Sequence, residues 1–316
     1  MKAAVVNTPG QLPKFQDFDE PTVQEGEALV HVRAAGLHPV VRSIASGAHY
    51  SASGSGPMIA GIDAVGTLED GTRVYFGGTR KPWGTMAERA SVPRSMYVPL
   101  PDGIDDATAA AIANPGMSAW VSMKDRAAFS AGETILILGA TGVAGQLAIQ
   151  IARQLGAKRI VAAGRNIDAL RDANVDEIID LNQPEDGLRE AFVAEAVAGI
   201  DVVIDYLWGR PTELLLEALA KGFKATATHR TRLVEVGASA GPTITLPAAI
   251  LRSIDLTLLG SGFGAASIDQ IFAAIPQLFA SAASGALKID VETVPLSEVE
   301  ANWNRADKGR RIVFTL

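Results

Sequence analysis

A glycine-rich turn between a buried strand and a helix constrains the fold of this chain more than any other feature. The apolar run at residues 134–138 leads into a Gly-x-x-Gly-x-x-Gly turn, and an amphipathic stretch follows at residues 146–156. Gly139 allows a sharp turn, Gly142 leaves room for a pyrophosphate, and Gly145 lets the helix pack against the strand. The free N–H groups at the start of such a helix bind phosphates. The pattern predicts a dinucleotide site whose phosphate contacts are Gly139, Thr141, Gly142, Val143, Ala144 and Gly145.

The region around this turn has the pattern of a parallel α/β sheet. Short apolar or β-branched runs alternate with helical stretches from residue 133 to residue 261, as in a sheet covered by helices on both faces. Such an alternation predicts a doubly wound Rossmann sheet. The six predicted strands are residues 134–138, 159–163, 177–181, 201–206, 232–236 and 256–260.

The two ends of the chain differ from this middle region. The first hundred residues are rich in glycine and proline, with short alternating runs such as 28–34 that are typical of half-buried strands. The stretches 105–113 and 118–129 predict two alanine-rich helices. After a further predicted helix at 267–283, the pattern resembles that of the first hundred residues again. We therefore predict a β-rich catalytic domain formed by residues 1–108 and 263–316, with a nucleotide-binding domain at 109–262 inserted between its two parts.

Composition excludes several classes of protein. The chain has no cysteine, which excludes disulfides, thiolate nucleophiles and cysteine-based zinc sites. A formal net charge of −7 and a pI near 5.2 give no basic surface for nucleic acid. No apolar stretch approaches the roughly 20 residues of a membrane helix, and the N-terminus has no signal-peptide core. We expect a cytoplasmic protein with neither a nucleic-acid nor a membrane partner.

The end of the second predicted strand selects the dinucleotide. An NAD site usually places Asp or Glu there to hold the ribose 2′-hydroxyl, but this strand ends in Gly164, Arg165 and Asn166, and the first acid is Asp168. A guanidinium can pair with a 2′-phosphate through two hydrogen bonds, which favours NADPH, and we expect Gly164, Arg165 and Asn166 to be cofactor contacts. In the alternative interpretation Arg165 is solvated, Asn166 caps the next helix and Asp168 reaches the ribose.

Seven segments of the sequence, in this order and spacing, carry a family resemblance: residues 1–3, 34–39, 61–66, 116–120, 139–145, 201–205 and 232–237. Together they resemble the medium-chain dehydrogenase/reductase superfamily, specifically its zinc-free quinone oxidoreductases, over nearly the whole chain. The resemblance implies a GroES-like catalytic domain made from both chain ends around a Rossmann domain. It also implies a homodimer that pairs the predicted edge strand at 256–260 with its copy.

The chain departs from the zinc-dependent members of this superfamily at their metal ligands. The ligand positions align with His38, the segment that ends at Asp63, and Asn114. His38 and Asp63 alone cannot complete a catalytic zinc site, which needs three protein ligands. The four histidines, at positions 31, 38, 49 and 229, show no paired metal spacing. We therefore expect no metal.

Without a Lewis acid, a conjugated acceptor takes hydride more easily than a simple ketone, because conjugation spreads the negative charge. The predicted reaction is hydride transfer from NADPH to a quinone or an α,β-unsaturated carbonyl. The resemblance implies two catalytic candidates. Tyr50 stands where related quinone reductases carry a pocket tyrosine, and His38 replaces an asparagine close to the cofactor. Either one could donate a proton or orient the substrate, although Tyr50 could equally be a packing residue.

Further cofactor contacts follow from the resemblance. Trp208 replaces one of the small residues usual in relatives, and it could stack on the adenine, narrow its cleft or simply pack. The other implied contacts lie where the two predicted alanine-rich helices meet or follow the fifth and sixth predicted strands: Asn114, Ser118, Gly237, Ala238, Ser261, Gly262 and Phe263.

Two alternative functions stay open. A 2-enoyl-thioester reductase would use the same fold and NADPH, and its substrate's phosphates would need a basic patch, for which Arg80 and Lys81 are the candidates. An NADPH-binding protein with a structural or regulatory role would show little turnover. A short-chain reductase is disfavoured, because the glycine turn lies at residue 139 and no Tyr-x-x-x-Lys follows it.

Overall fold

The computed structural model describes residues 1–52, 56–222, 230–306 and 309–316. His229 lies outside these residues. The chain divides into two compact units, one made of Met1–Met117 and Phe272–Leu316 and the other of Ser118–Ile271. The predicted domain boundaries, after residues 108 and 262, fall shortly before these two divisions.

The strands are short, and most pack at least one face into a core. In chain order they are β1 (Lys2–Val6), β2 (Lys14–Asp17), β3 (Glu27–Gly36), β4 (Met58–Ile59), β5 (Asp63–Leu68), β6 (Arg73–Gly77), β7 (Arg89–Pro93), β8 (Tyr97–Pro99), β9 (Thr134–Leu138), β10 (Arg159–Gly164), β11 (Glu177–Asp180), β12 (Val202–Asp205), β13 (Arg230–Glu235), β14 (Asp255–Gly260), β15 (Val291–Pro295) and β16 (Arg311–Thr315).

The helices range from a single turn to about four turns. In chain order they are α1 (Pro39–Ala45), α2 (Asp106–Val121), α3 (Val143–Gln154), α4 (Ile167–Arg171), α5 (Glu185–Ala198), α6 (Gly209–Lys221), α7 (Ala248–Ser253), α8 (Ile268–Ala283) and α9 (Val299–Asn302). Within the described ranges, none of them combines the length and apolarity that crossing a bilayer requires.

The unit formed by Ser118–Ile271 holds a parallel sheet of order β11-β10-β9-β12-β13-β14. Each of the six predicted strands is present, with bounds shifted by at most two residues. Strand β9 is buried from Ile135 to Leu138 because the sheet is covered on both faces. The chain runs from β9 outward to β10 and β11, then returns to β12 on the other side of β9. The predicted Rossmann fold is confirmed, and its topological switch point lies between β9 and β12.

The other unit is β-rich and contains both ends of the chain. Its larger sheet has the order β15-β16-β3-β5-β6-β8, with β7 also paired to β3, and a smaller sheet has the order β2-β1-β4. The C-terminal strand β16 pairs with β3 in antiparallel fashion, so that Phe314 lies opposite Ala35. Leu37, Phe76 and Phe314 are buried in the core of this unit. The predicted return of the C-terminal segment to the first domain is confirmed.

One helix prediction was wrong at its centre. The sequence predicted separate helices before and after Asn114 and Pro115, whereas α2 runs continuously through Pro115. A proline removes one backbone hydrogen bond from a helix interior and usually kinks or ends the helix. Here the flanking turn is buried from Ala109 to Ala113, and this packing holds the helix together across the proline.

Candidate functional site

The glycine turn after β9 is a feature that the protein's own packing requires. Gly139 has a φ of +83°, which side-chain-bearing residues rarely adopt. A Cβ added to Gly145 would lie 2.6 Å from Ala140 Cα and closer still to the Gly139 carbonyl oxygen. Since a Cβ atom cannot approach backbone atoms that closely, only glycine at position 145 lets α3 pack against the turn.

Gly142 differs from its two neighbouring glycines. A Cβ added there would meet only the Gly139 carbonyl oxygen, at 3.5 Å, which is an ordinary contact. The protein itself would therefore accept a side chain at this position. Gly142 is also the residue before the first turn of α3, and no side chain in the described ranges caps that helix start. The open space and the uncapped N–H groups fit a phosphate group.

Arg165 stands at the end of β10, beside the turn. A Cβ added to Gly164 would lie 2.5 Å from Thr141 Cγ2, so the end of β10 contacts the turn directly. The Arg165 side chain is exposed and makes no hydrogen bond or ion pair within the described ranges, while its carbonyl oxygen accepts from Asn182 Nδ2 at 2.7 Å. The guanidinium is thus available to a ligand at this edge of the sheet.

The residues after Arg165 are engaged locally. Asn166 Oδ1 accepts a hydrogen bond from the Ala169 backbone N–H at 3.3 Å and caps α4. Asp168 forms an ion pair of 3.0 Å with Arg171, and its side chain is 90% exposed. The capping role in the alternative interpretation is therefore present, but Asp168 has a cationic partner of its own.

Trp208 lies across β9 from Arg165, since the sheet places β10 on one side of β9 and β12 on the other. Its backbone has a φ of 54° and a ψ of −159°, an uncommon conformation for any residue but glycine. Buried Asp205 holds this backbone, because its Oδ1 accepts from the N–H groups of Leu207 at 2.8 Å and Trp208 at 2.9 Å. Thr212 donates its hydroxyl to the other oxygen of Asp205 at 2.6 Å.

A pocket of about 440 Å³ lies at the carboxyl ends of β13 and β14, next to Trp208. We refer to it as the Glu235 pocket. It is lined by Trp208, Glu235, Ala238, Pro242, Leu258, Leu259 and Gly260. Among the predicted cofactor residues, the structure therefore brings Trp208 and Ala238 together in one pocket.

Glu235 is a residue of this pocket that the sequence analysis missed. It is half-buried at the end of β13, opposite Asp205 of β12 and Gly260 of β14. Burial raises the pKa of its carboxyl, and the neighbouring Asp205 raises it further. An acid among the apolar residues at 233–236 was the available signal.

The remaining predicted cofactor contacts occupy helix α2 and two strand ends. Asn114 and Ser118 are both half-buried, and their spacing of four residues places them on one face of α2. The Ser261 N–H donates to the Glu235 carbonyl oxygen at 2.8 Å, and Gly237 N–H donates to the Asp205 carbonyl oxygen at 3.2 Å. Gly262 and Phe263 follow Ser261, and the Phe263 side chain is exposed.

In the β-rich unit, His38 belongs to a buried polar group that we call the His38 cluster: His38, Asp63, Tyr75 and Arg311. His38 is only 1% exposed. Its Nε2 lies 3.5 Å from Asp63 Oδ1, and neither ring nitrogen has a partner with good hydrogen-bond geometry. Tyr75 donates its hydroxyl to Asp63 Oδ2 at 2.7 Å.

Burial dominates the electrostatics of the His38 cluster. It raises the pKa of Asp63 to about 7, although the Tyr75 hydrogen bond and the Arg311 charge oppose that rise. Burial and the Arg311 charge hold the pKa of His38 well below its usual range. The imidazole is therefore neutral at neutral pH, whereas the carboxyl changes its protonation state there. In the described part of the chain, no three histidine or acidic side chains gather as metal ligands would.

The two predicted catalytic residues lie at opposite ends of α1. His38 immediately precedes this seven-residue helix, which is about 10 Å long. Tyr50 follows its other end, is 70% exposed, and stacks on the His49 ring at a centroid distance of 4.1 Å. Tyr50 is thus accessible to solvent, whereas His38 is enclosed.

Arg80, one of the two candidate residues for binding a thioester's phosphates, forms hydrogen bonds with other groups of the protein. Arg80 Nε donates to Glu27 Oε1 at 2.8 Å, and its Nη2 donates to Oε2 at 3.2 Å and to the Thr22 carbonyl at 2.9 Å. Glu27 is buried and also accepts from the Ser91 hydroxyl at 2.6 Å. Arg80 therefore compensates a buried carboxylate of its own unit.

Comparison with known proteins identifies relatives over the full length. No family model matches the chain. The probable NADPH-dependent quinone reductase tdiC of Emericella nidulans is 27% identical over 99% of both proteins. The human quinone oxidoreductase is 30% identical over 67% of this chain and 63% of its own length. A mycocerosic acid synthase-like polyketide synthase of Mycobacterium tuberculosis is 32% identical over 69% of this chain, which spans only 11% of that protein.

Solved structures resemble the chain from end to end. The quinone oxidoreductase from Thermus thermophilus, solved alone and in complex with NADPH, has a TM-score of 0.81 and 27% identity, with 100% of both chains covered. An NAD-dependent alcohol dehydrogenase has a TM-score of 0.82 at 23% identity and shares the fold.

Proposed function

Since the chain belongs to the medium-chain dehydrogenase/reductase superfamily, we propose that it is an NADPH-dependent reductase that transfers hydride to a quinone or an α,β-unsaturated carbonyl. One observation carries this proposal. At the switch point of the sheet, Gly142 leaves open space above the start of α3, and the exposed guanidinium of Arg165 stands beside it. This combination suits a pyrophosphate followed by a ribose 2′-phosphate.

The residues of the Rossmann unit would hold NADPH in an extended form across β9. The turn from Gly139 to Gly145 would bind the pyrophosphate, and Arg165 would bind the 2′-phosphate of the adenosine half. The nicotinamide half would then lie on the side of β12, β13 and β14. Bound NADPH supplies a hydride. The residues proposed to face that half are Asn114, Ser118, Trp208, Gly237, Ala238, Ser261, Gly262 and Phe263.

The small number of metal-ligating side chains around His38 favours a conjugated acceptor as the substrate. His38 and Asp63 provide two side chains where a catalytic zinc needs three ligands. A quinone or an enone spreads the incoming negative charge over its conjugated system, so it depends less on a Lewis acid. The substrate class proposed here follows from that difference.

Tyr50 and His38 take different parts in the proposed reaction. The phenol of Tyr50 is 70% exposed, and a phenol O–H can donate a proton to a bound substrate. His38 is enclosed, and its lowered pKa keeps it neutral. We therefore propose that His38 orients neighbouring groups as a neutral ring and that Tyr50 is the proton donor.

The assembly and location are also part of the proposal. Strand β14 ends the order of the parallel sheet, so it can pair with a second copy of the chain as a homodimer. A cytoplasmic location follows from the sequence expectation given above.

The test is steady-state oxidation of NADPH with 1,2-naphthoquinone, with a simple enone, and with crotonyl-CoA in parallel. We expect turnover with the quinone or the enone. Faster turnover with crotonyl-CoA would favour the thioester reductase, for which the engagement of Arg80 with Glu27 leaves little support. Tight NADPH binding without turnover on any acceptor would favour the structural or regulatory role.

A further inference from the structure

Glu235 is a partly buried acid that lacks a partner in the described part of the chain. Its neighbour Asp205 accepts two backbone N–H groups and a hydroxyl, and buried Glu195 pairs with Arg159. Within the described ranges, the Glu235 carboxylate has no such hydrogen bond or ion pair. Arg126 lies near the pocket, but it donates its Nε to the Gly260 carbonyl at 2.8 Å. A half-buried carboxylate whose oxygens have no protein partner in the described ranges can accept hydrogen bonds or positive charge from a ligand.

The walls of the Glu235 pocket indicate the shape of that ligand. Trp208 contributes an aromatic wall, and its strained backbone is held in place by Asp205. Non-glycine residues at positive φ cluster at ligand-binding sites, where the surrounding structure enforces them. The remaining lining is mainly aliphatic, including Ala238, Pro242 and Leu258. A flat ring that carries positive charge or N–H donors fits a lining of one aromatic residue, several aliphatic residues and one carboxylate.

The position of the pocket in the sheet indicates which ring of the dinucleotide it would hold. It lies at the carboxyl ends of β13 and β14, across β9 from Arg165. With the 2′-phosphate at Arg165, the ring at this pocket is the nicotinamide. We propose that Glu235 faces the nicotinamide half of the bound dinucleotide and makes the protein bind NADP⁺ more tightly, relative to NADPH, than it would without this carboxylate. This inference rests on the proposed function.

The physical basis is the charge of the ring. The oxidised nicotinamide carries a positive charge and the reduced ring does not, so a nearby carboxylate attracts only the oxidised form. Because Glu235 is half-buried, this attraction is stronger than it would be in bulk water. Glu235 thereby favours the side of the equilibrium on which hydride has left the cofactor, and it promotes transfer to an acceptor.

The experiment measures dissociation constants, at pH 8, for NADPH, NADP⁺ and 2′,5′-ADP. The last ligand has the adenosine half and its phosphates but no nicotinamide. The experiment compares the wild type with two variants. One is Glu235→Gln, and the other is Glu190→Gln, a matched change on the exposed surface of α5. We expect Glu235→Gln to weaken NADP⁺ binding about fivefold or more while NADPH and 2′,5′-ADP stay within about twofold. Glu190→Gln should change none of the three.

Two results would overturn the inference while the proposed function stands: equal losses for NADP⁺ and NADPH in Glu235→Gln, or no loss for either. Glu235→Asp keeps the charge and should keep most of the preference, so a ratio equal to that of the Gln variant would also overturn it. If the Gln variant does not fold, Glu235→Ala takes its place with the same expectation. A wild type that binds neither dinucleotide would overturn the proposed function and this inference together.

Discussion

The glycine turn after β9 and the His38 cluster are built in opposite ways. The turn consists of consecutive residues between Gly139 and Gly145, in which Gly139 and Gly145 meet local steric demands and Gly142 leaves open space. The His38 cluster joins residues from β5, β6, β16 and the start of α1, up to 273 positions apart in sequence (311 − 38). The comparison shows that backbone geometry can be encoded locally, whereas a buried electrostatic environment depends on the assembled fold.

The largest expected effect separates packing from binding within the turn. Gly145→Val should destabilise the protein by about 4 kcal/mol, because the new Cβ would collide with the Gly139 carbonyl oxygen and with Ala140 Cα. Urea unfolding measures this loss. The matched control is Gly142→Ala, which should leave the free energy of unfolding nearly unchanged and weaken NADPH binding about tenfold or more. Equal destabilisation by both variants would contradict the distinction between these glycines.

The next effect tests the burial of Asp63 in the His38 cluster. The pKa of Asp63 is raised from 3.8 to about 7 in the folded protein. The folded state therefore holds a proton that the unfolded state releases between these values, and this group's contribution to stability falls as the pH rises through that window. Asp63→Asn removes the titration, so its stability relative to the wild type should rise by about 3 kcal/mol from pH 4.5 to pH 8.

Urea unfolding of both proteins at these two pH values measures that difference. Glu190→Gln serves as the control, since removing an exposed acid on the surface of α5 should leave the pH dependence of stability unchanged. A constant difference between Asp63→Asn and the wild type would show that the carboxyl is not held protonated by burial.

A smaller effect tests whether Arg165, beside the turn, selects NADPH over NADH. Arg165→Ala should weaken NADPH binding about tenfold and leave NADH binding within about twofold, because only NADPH carries the 2′-phosphate. The exposed side chain makes no contact that the fold needs in the described ranges, so unfolding should not change. Equal losses for the two cofactors, measured by fluorescence titration, would remove Arg165 from the 2′-phosphate site.

The smallest expected effect concerns the proton donor. Tyr50→Phe should lower kcat/KM with NADPH and a quinone about fivefold, since water can partly replace the phenol as donor. NADPH binding and stability should not change, because the side chain is 70% exposed. His38→Ala is the companion variant. A rate within twofold of the wild type for Tyr50→Phe would remove this residue from the mechanism.

Much of the fold was predictable because its signals are periodic or local. The six strands of the parallel sheet appear as short apolar runs, and the structure contains each of them. The return of the C-terminal segment followed from its likeness to the first hundred residues. Helix α2 was not predicted as one element, because the sequence shows Pro115 but not the burial that carries the helix across it.

The candidate sites were also predictable to different degrees, because local patterns are visible in the sequence and burial is not. The turn and Arg165 were predicted as site residues from a strand–turn–helix pattern, and Asn166 caps α4 as the alternative interpretation of that residue stated. Glu235 was missed, because an acid at a strand end gains significance only when no partner lies nearby. The enclosure of His38 and the exposure of Tyr50 were equally invisible in the sequence.

By itself, the sequence determined the class of fold, the position of the glycine turn and the charge at the end of β10, on which the proposed preference for a 2′-phosphate depends. These depend on interactions between residues close together in the chain, such as the glycine conformations and the charge at one strand end. Only the tertiary structure decided the protonation state of Asp63, the neutrality of His38 and the pocket around Glu235. Desolvation and long-range charge act through space, so they arise only when distant segments are packed together.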